Sequence, residues 1–91
     1  MPDLEERERL WQALLPAAAP VEANLGLAEL ASAYVMSGGY IRNAVVRAAF
    51  LAAAAEASIS RDHLARAAEL EYEAAGKLAP ARMEARDARL R

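Results

Sequence analysis

Residues 37–43, with the sequence Ser-Gly-Gly-Tyr-Ile-Arg-Asn, combine residue types that could contact an anion. Ser37 is a good N-cap, because its hydroxyl can accept a hydrogen bond from a backbone N–H of the first helical turn. Gly38 and Gly39 follow where better helix formers are expected, and a glycine costs about 1 kcal/mol relative to alanine in a helix interior. Such a glycine pair indicates that the backbone comes close to a neighbouring group.

Arg42 supports this interpretation, because it follows in the first turn of the same predicted helix. The positive end of a helix dipole disfavours a cation there by roughly 0.3–1 kcal/mol and favours a bound anion. A glycine pair with an arginine at a helix N-terminus is the pattern expected of an anion or nucleotide contact. The competing interpretation is a surface turn with a solvated arginine, and the residues taken alone slightly favour it.

Residues 37–43 predict binding and not catalysis, and no set of residues in the sequence predicts a catalytic site. The Gly-x-x-x-x-Gly-Lys-Ser/Thr phosphate-binding loop is absent. The single histidine, His63, has no partners at metal-ligand spacing and is interpreted as a surface or helix-capping residue. With no cysteine, the chain has neither a disulfide framework nor a thiolate metal site. We therefore expect no active site within these 91 residues.

The elements that position residues 37–43 are predicted to be four helices. Alanine accounts for 25 residues, valine and isoleucine together for only six, and no segment alternates apolar and polar residues. The helices are expected at about residues 4–15, 38–57 and 61–75, with a shorter second helix that starts near Asn24 or Gly26 and ends near Val35. The third is apolar on nearly all sides, which is typical of the buried centre of a bundle. Its bulk is expected to come from Val45, Val46, Phe50 and Leu51.

Length and charge restrict the class of protein. A chain of 91 residues forms one small domain, and its net charge of −2 argues against a general nucleic-acid binder. The longest apolar run, residues 48–55, is far short of the roughly 20 residues that span a bilayer. The N-terminus does not resemble a signal peptide, because acidic residues appear at once. We expect a soluble, cytoplasmic protein with no membrane partner.

The third helix and the turn before it resemble the C-terminal helical lid of AAA+ ATPases. The lid signature is Ser-Gly-Ala-Asp-Ile-x-Asn-x-Val-x-x-Ala-Ala-x-Leu-Ala, and residues 37–52 follow it except at Gly39 and Tyr40. Residues 27–31 are similar to the Leu-x-x-Leu-Ala stretch of the second lid helix. Further similarities lie at Arg7, Arg9, Leu10, Trp11, Leu15, Pro16, Ile59, His63, Leu64, Ala67 and Ala68. The resemblance covers about residues 2–78 and is closest to bacterial AAA-family ATPases.

This resemblance implies an all-α fold, a small four-helix bundle of the AAA+ lid type over residues 1–78. Residues 79–91 would then be a helical or disordered C-terminal extension. The implied cofactor is ATP, with its Mg bound by a core domain that these residues lack. Gly38, Gly39, Tyr40 and Arg42 are the implied nucleotide-binding residues. Many lids carry a sensor arginine, and others an aspartate, where Tyr40 stands, so Arg42 is taken as the candidate cation.

The implied partners are the AAA+ core domain of the same protein and the neighbouring subunits of a ring, a hexamer at full length. The chain would be a non-catalytic fragment of an ATP-hydrolysing enzyme. A stand-alone helical protein–protein interaction domain, without nucleotide contact, is the first alternative. A helix-turn-helix DNA binder is the second, and the apolar third helix and the acidic charge disfavour it. No nucleic-acid partner is expected.

Overall fold

The structure, a computed structural model, describes residues 1–76 and contains four α-helices in that range. The helices are α1 (Leu4–Leu14), α2 (Leu27–Ala33), α3 (Gly38–Ala54) and α4 (Arg61–Ala74). The predicted all-α fold is therefore confirmed, whereas the predicted extension at residues 79–91 and the boundary before it lie outside the described residues. None of these four helices is long and apolar enough to cross a membrane.

Local capping rules explain where α1 and α4 begin. Asp3 caps α1, since its carboxylate accepts a hydrogen bond from the Glu6 N–H at 2.8 Å. Ser60 and His63 form a reciprocal capping box: the Ser60 hydroxyl accepts from the His63 N–H, and His63 Nδ1 accepts from the Ser60 N–H. His63 is thus a capping residue, as one of the two sequence interpretations has it.

The third helix ends three residues earlier than predicted, at Ala54 rather than Ala57. The Ala57 N–H bonds to the Ala52 carbonyl at 2.9 Å and the Glu56 N–H to the Ala53 carbonyl at 3.0 Å, which is a Schellman motif. Glu56 closes this motif with a φ of 52°, a conformation usually given to glycine. Because no glycine marks the position, the sequence pattern overextends the helix.

The core lies where α3 packs between α1 and α4, with α2 seated on α1. Trp11, Ile41 and Leu64 are fully buried at its centre. Ile59 joins them from the loop before α4, where a short parallel bridge pairs it with Val21 in the loop before α2. The bridge joins the connection between α1 and α2 to the connection between α3 and α4.

The expectation that α3 is buried on nearly all sides is wrong. Its alanines at 44, 48 and 52 face the core, whereas Val46 and Phe50 are exposed, Phe50 to 72%. The reason is the small number of neighbours: α3 contacts α1 on one side and α4 on another, and the seven-residue α2 does not reach the remaining face. An apolar strip of α3 is therefore uncovered within residues 1–76.

Candidate functional site

The segment predicted to contact an anion forms the beginning of α3. Ser37 occupies the N-cap position in an extended conformation, but its hydroxyl accepts no hydrogen bond from the first turn, contrary to expectation. The first bond of the helix runs from the Ile41 N–H to the Ser37 carbonyl at 3.0 Å. Within the part of the chain that the structure describes, the N–H groups of Gly38, Gly39 and Tyr40 therefore have no acceptor.

The electrostatics of this helix start differ from those of α1 and α4. The first turn of α1 carries Glu5 and Glu6, and that of α4 carries Asp62, whereas the first turn of α3 contains no acidic residue. Acidic side chains at a helix start interact favourably with the positive end of its dipole. The N-terminus of α3 keeps this partial positive charge uncompensated, and an anion from outside could interact with it.

The packing within the chain does not require the two glycines. A Cβ atom at Gly39 would lie 4.0 Å from Ser37 Oγ, and one at Gly38 would lie 3.7 Å from Leu10 Cδ1, which are ordinary contacts. Gly26 is the contrasting case, because its φ is +64° and a Cβ there would lie only 2.5 Å from Arg61 Nε. Gly38 and Gly39 thus weaken α3 without an internal steric reason.

A shallow depression of about 340 Å³ brings most of the predicted site together. It is lined by Ser37, Gly39, Tyr40, Arg42 and Asn43. Arg42 is exposed and is the fifth residue of α3, so it lies just beyond the first turn and not within it as predicted. Its guanidinium makes no hydrogen bond or ion pair to residues 1–76, so it is available to a ligand. Gly38 does not line the depression, because it faces Leu10 of α1.

Sequence reasoning missed a second feature of α3, the groove that it forms with α4. The groove has a volume of about 560 Å³, and Phe50, Leu51 and Glu71 are among its lining residues. Glu71 has only 8% of its side chain exposed, and Arg47 Nη2 donates to its Oε1 at 3.0 Å. Val46 and Phe50 are four residues apart, so the sequence does place them on one side of α3. A helix rich in alanine offers several possible core faces, however, so this spacing alone does not show which side is left exposed.

Another buried polar residue, Arg7, has a structural role. Arg7 is buried, and its Nε donates to the Ala31 carbonyl at 2.9 Å, while Nη1 donates to the Pro2 carbonyl at 3.0 Å. Arg7 therefore gives a carbonyl in the last turn of α2 its hydrogen-bond donor, and this bond connects α2 to α1. Burial raises the pKa of Tyr34, with smaller contributions from Glu69, Glu73 and Tyr72.

The α3 N-terminus carries groups that can bind an anion. It offers backbone N–H donors, a free guanidinium and a tyrosine ring. Among residues 1–76 no three histidine, cysteine, aspartate or glutamate side chains cluster so as to hold a metal ion. Neither a scan against protein-family models nor searches of curated proteins and of solved structures returned a match to this chain.

Proposed function

We propose that this chain is the helical lid of an AAA+ ATPase, which closes over ATP bound to a separate core domain and contacts the next subunit of a ring. The observation that carries the proposal is the start of α3, where unbonded N–H groups, an unpaired Arg42 and Gly39 meet in one depression. Glycines with no internal steric reason suit a helix start that another molecule approaches. The resemblance of residues 37–52 to the lid signature supports a nucleotide as that ligand.

The depression suits a site that is completed by another domain. It is shallow, and Arg42 is its one cation, whereas ATP carries several phosphate charges and a magnesium ion. In the proposed complex the core domain holds the phosphates and the metal. Gly38, Gly39 and Tyr40 border the nucleotide, and Arg42 is the residue that approaches its negative charge.

The packing of α3 suits transmission of nucleotide state as a rigid-body movement. Its inner face is fixed to α1 and α4 by the buried core, and the Arg47–Glu71 pair joins the exposed side of α3 to α4. A contact made or lost at the start of α3 therefore displaces the helices together. In the proposed ring, hydrolysis in one site would reorient the lid as a unit and change its contact with the neighbouring subunit.

The four glycines of the chain allow a direct test by heteronuclear NMR. Gly38 and Gly39 lie at the proposed site, whereas Gly26 and Gly76 lie outside it and serve as internal controls. The ¹⁵N-labelled chain is titrated with MgADP or MgATP alone, and then in the presence of the AAA+ core domain of the same protein as a separate chain. We expect the Gly38 and Gly39 amides to shift only when nucleotide and core are both present.

Three outcomes would contradict the proposal. One is association of the two domains with no nucleotide-dependent shift at Gly38 and Gly39. Another is an Arg42→Ala variant that binds the nucleotide-loaded core no more weakly than the matched variant Arg9→Ala, which removes an exposed arginine of α1. The third is a natural gene product of only these 91 residues, shown by its intact mass, since no core domain would then exist.

A stand-alone protein–protein interaction domain is the second candidate function. The observation that favours it is the exposed apolar strip of α3, because contiguous apolar surface marks interaction sites. The NMR experiment separates the two functions. Binding of a partner with shifts around Val46 and Phe50, but none at Gly38 and Gly39 when nucleotide is added, would identify an interaction domain without nucleotide contact.

A further inference from the structure

One side of α3 forms a continuous exposed surface. With about 100° of rotation per residue, six exposed residues of this helix fall on one side of it. We define the α3 outer face as Gly39, Asn43, Val46, Phe50, Ala53 and Ala54. Val46 and Phe50 provide the bulk at its centre, and the small residues near its two ends would let another backbone approach closely.

The charged residues of α3 itself have a single sign. Glu71 of α4 lines the adjoining groove, but it is buried and already paired with Arg47. Arg42 lies along one edge and Arg47 along the other, and α3 contains no acidic residue. Arg42 is unpaired within residues 1–76. Arg47 has 45% of its side chain exposed and gives one hydrogen bond, to Glu71, although a guanidinium has five donors. A partner with carboxylates on both sides of an apolar stripe would match this surface.

We propose that the α3 outer face binds an amphipathic helix of a partner protein, whose apolar stripe is flanked on both sides by aspartate or glutamate. The partner helix would lie along α3, with its larger apolar side chains around Phe50. One of these would enter the groove beside Phe50 and Leu51, whose volume of about 560 Å³ accommodates a leucine side chain. Its flanking carboxylates would pair with Arg42 and Arg47, as charged positions beside a coiled-coil seam do.

The charges disfavour the other occupants that the chain itself offers. Residues 77–91 contain five basic residues and only two acidic ones, so this segment would place like charges beside Arg42 and Arg47. A second copy of α3 would likewise bring arginines and no carboxylate of its own. The exposed acidic residues of α1, including Glu5 and Glu8, do not flank an apolar stripe. A separate acidic helix satisfies both the apolar and the charged requirements.

This inference goes beyond the proposed function, because it concerns binding of a protein helix along α3 and not of a nucleotide at its start. The α3 outer face and its edge share Gly39, Arg42 and Asn43 with the depression, but the face is centred on Val46 and Phe50, which do not line the depression. Helix binding requires neither nucleotide nor a core domain. Failure of peptide binding would leave the NMR result at Gly38 and Gly39 unaffected, and the reverse also holds.

Two matched synthetic peptides test the proposal on the full chain. Both are fluorescein-labelled, alanine-rich helices with the same leucine stripe, flanked by glutamate in one peptide and by lysine in the other. Binding is followed by fluorescence anisotropy. We expect the glutamate peptide to bind at least tenfold more tightly than the lysine peptide, with an advantage that shrinks as salt is raised.

Variants of the α3 outer face identify the site. Phe50→Ala is expected to weaken binding of the glutamate peptide at least tenfold. Arg42→Glu is expected to weaken the glutamate peptide and strengthen the lysine peptide. The control Leu4→Gln, which changes an exposed apolar residue of α1, should change neither affinity. Because the altered side chains are exposed, far-UV circular dichroism should show unchanged helix content.

Several results would overturn the proposal. Equal affinity for the two peptides would show nonspecific apolar association, and absence of binding to both would remove the acidic helix as occupant. Sedimentation of the chain as a dimer that Phe50→Ala dissociates would assign the face to a second copy. Co-sedimentation with phosphatidylserine vesicles that Phe50→Ala abolishes, without peptide binding, would assign it to a membrane surface.

Discussion

A glycine at position 39 does not stabilise the fold. Its backbone is helical and a Cβ atom has room, with Ser37 Oγ at 4.0 Å as its nearest contact. Gly39→Ala should therefore raise the free energy of unfolding by about 0.5–1 kcal/mol, because alanine loses less conformational freedom in a helix. Urea denaturation followed by fluorescence of the single tryptophan, the buried Trp11, measures this.

Gly26→Ala is the matched comparison for this experiment. It should lower stability, because its φ of +64° and the nearby Arg61 side chain both oppose a Cβ atom. If Gly39→Ala also destabilised the chain, the absence of an internal reason for the glycine would be disproved. A gain in stability together with weaker nucleotide-dependent binding to a core domain would instead show that the glycine serves the site.

The raised pKa of the Tyr34 hydroxyl should make part of the free energy of unfolding depend on pH, and this part is lost in alkaline solution. Its pKa is raised by burial first, and then by the charges of Glu69, Glu73 and Tyr72. The Tyr34 ring also contacts the ring of Tyr72 edge to face. The folded chain therefore retains the phenolic proton at a pH where the unfolded chain has lost it. Stability is complete below the unfolded pKa of about 10 and falls as pH rises through the folded pKa.

Tyr34→Phe removes this proton from both states. The loss of unfolding free energy between about pH 9 and pH 11, the range around the ordinary tyrosine pKa, should be smaller in the variant than in the parent chain. Urea titrations at several pH values in this interval measure the two slopes. Identical slopes would mean that burial does not perturb the Tyr34 hydroxyl.

The end of α3 contains an unfavourable residue, Glu56, in a left-handed conformation. Glycine adopts this conformation without the steric cost of a side chain, so Glu56→Gly should stabilise the chain by about 0.5–1 kcal/mol. Thermal denaturation followed by circular dichroism measures the difference. Glu56→Gln removes the charge near the helix C-terminus and keeps the side chain, so an equal gain in this variant would refute the conformational explanation.

The Arg47–Glu71 pair joins α3 to α4 at 3.0 Å, with the glutamate buried and the arginine half exposed. Arg47→Met would leave a buried carboxylate without its partner, and we expect a loss of about 1–3 kcal/mol. Replacing both residues with methionine should recover most of this loss, because two apolar side chains need no partner. Denaturant titrations of the complete double-mutant cycle should give a coupling free energy of about 1 kcal/mol or more.

The helix starts and ends that follow from neighbouring residues could be predicted from the sequence. Asp3, Ser60 and Gly76 act through bonds or backbone angles within their own helix ends, so their residue types are sufficient signals. Glu56 ends α3 without the residue type that its conformation favours. The bridge between Val21 and Ile59 depends on two segments far apart in sequence, and no local pattern encodes it.

The parts of the candidate site that neighbouring residues form could also be predicted from the sequence. Gly39 and Arg42 lie three residues apart at one helix start, so the sequence places them together. Gly38 faces Leu10 of α1 instead, and that contact depends on the packing of two helices.

The α3 outer face was not predictable, because it depends on which sides of α3 the other helices cover. Ile41, Val45 and the alanines at 44, 48 and 52 face inward, where the small residues allow close packing against α1 and α4, whereas Val46 and Phe50 face outward.

Two bulky apolar residues differ in burial, so truncating each to alanine should change the free energy of unfolding by very different amounts. Leu64 is fully buried between α3 and α4, whereas Phe50 is 72% exposed. Leu64→Ala should cost about 2–5 kcal/mol, through lost burial and the cavity left behind. Phe50→Ala should change the free energy of unfolding by no more than about 0.5 kcal/mol, although it removes the larger side chain.

Urea denaturation monitored by Trp11 compares both variants with the parent chain at one protein concentration. A cost of several kcal/mol for Phe50→Ala would place this ring in the core and remove the basis for the α3 outer face. A small cost, together with the loss of peptide binding expected for the same variant, would show that the largest apolar side chain of α3 serves an interaction. The fold of residues 1–76 would then depend on the buried side of α3, formed by Ile41, Val45 and three alanines, and its recognition surface on the exposed phenylalanine.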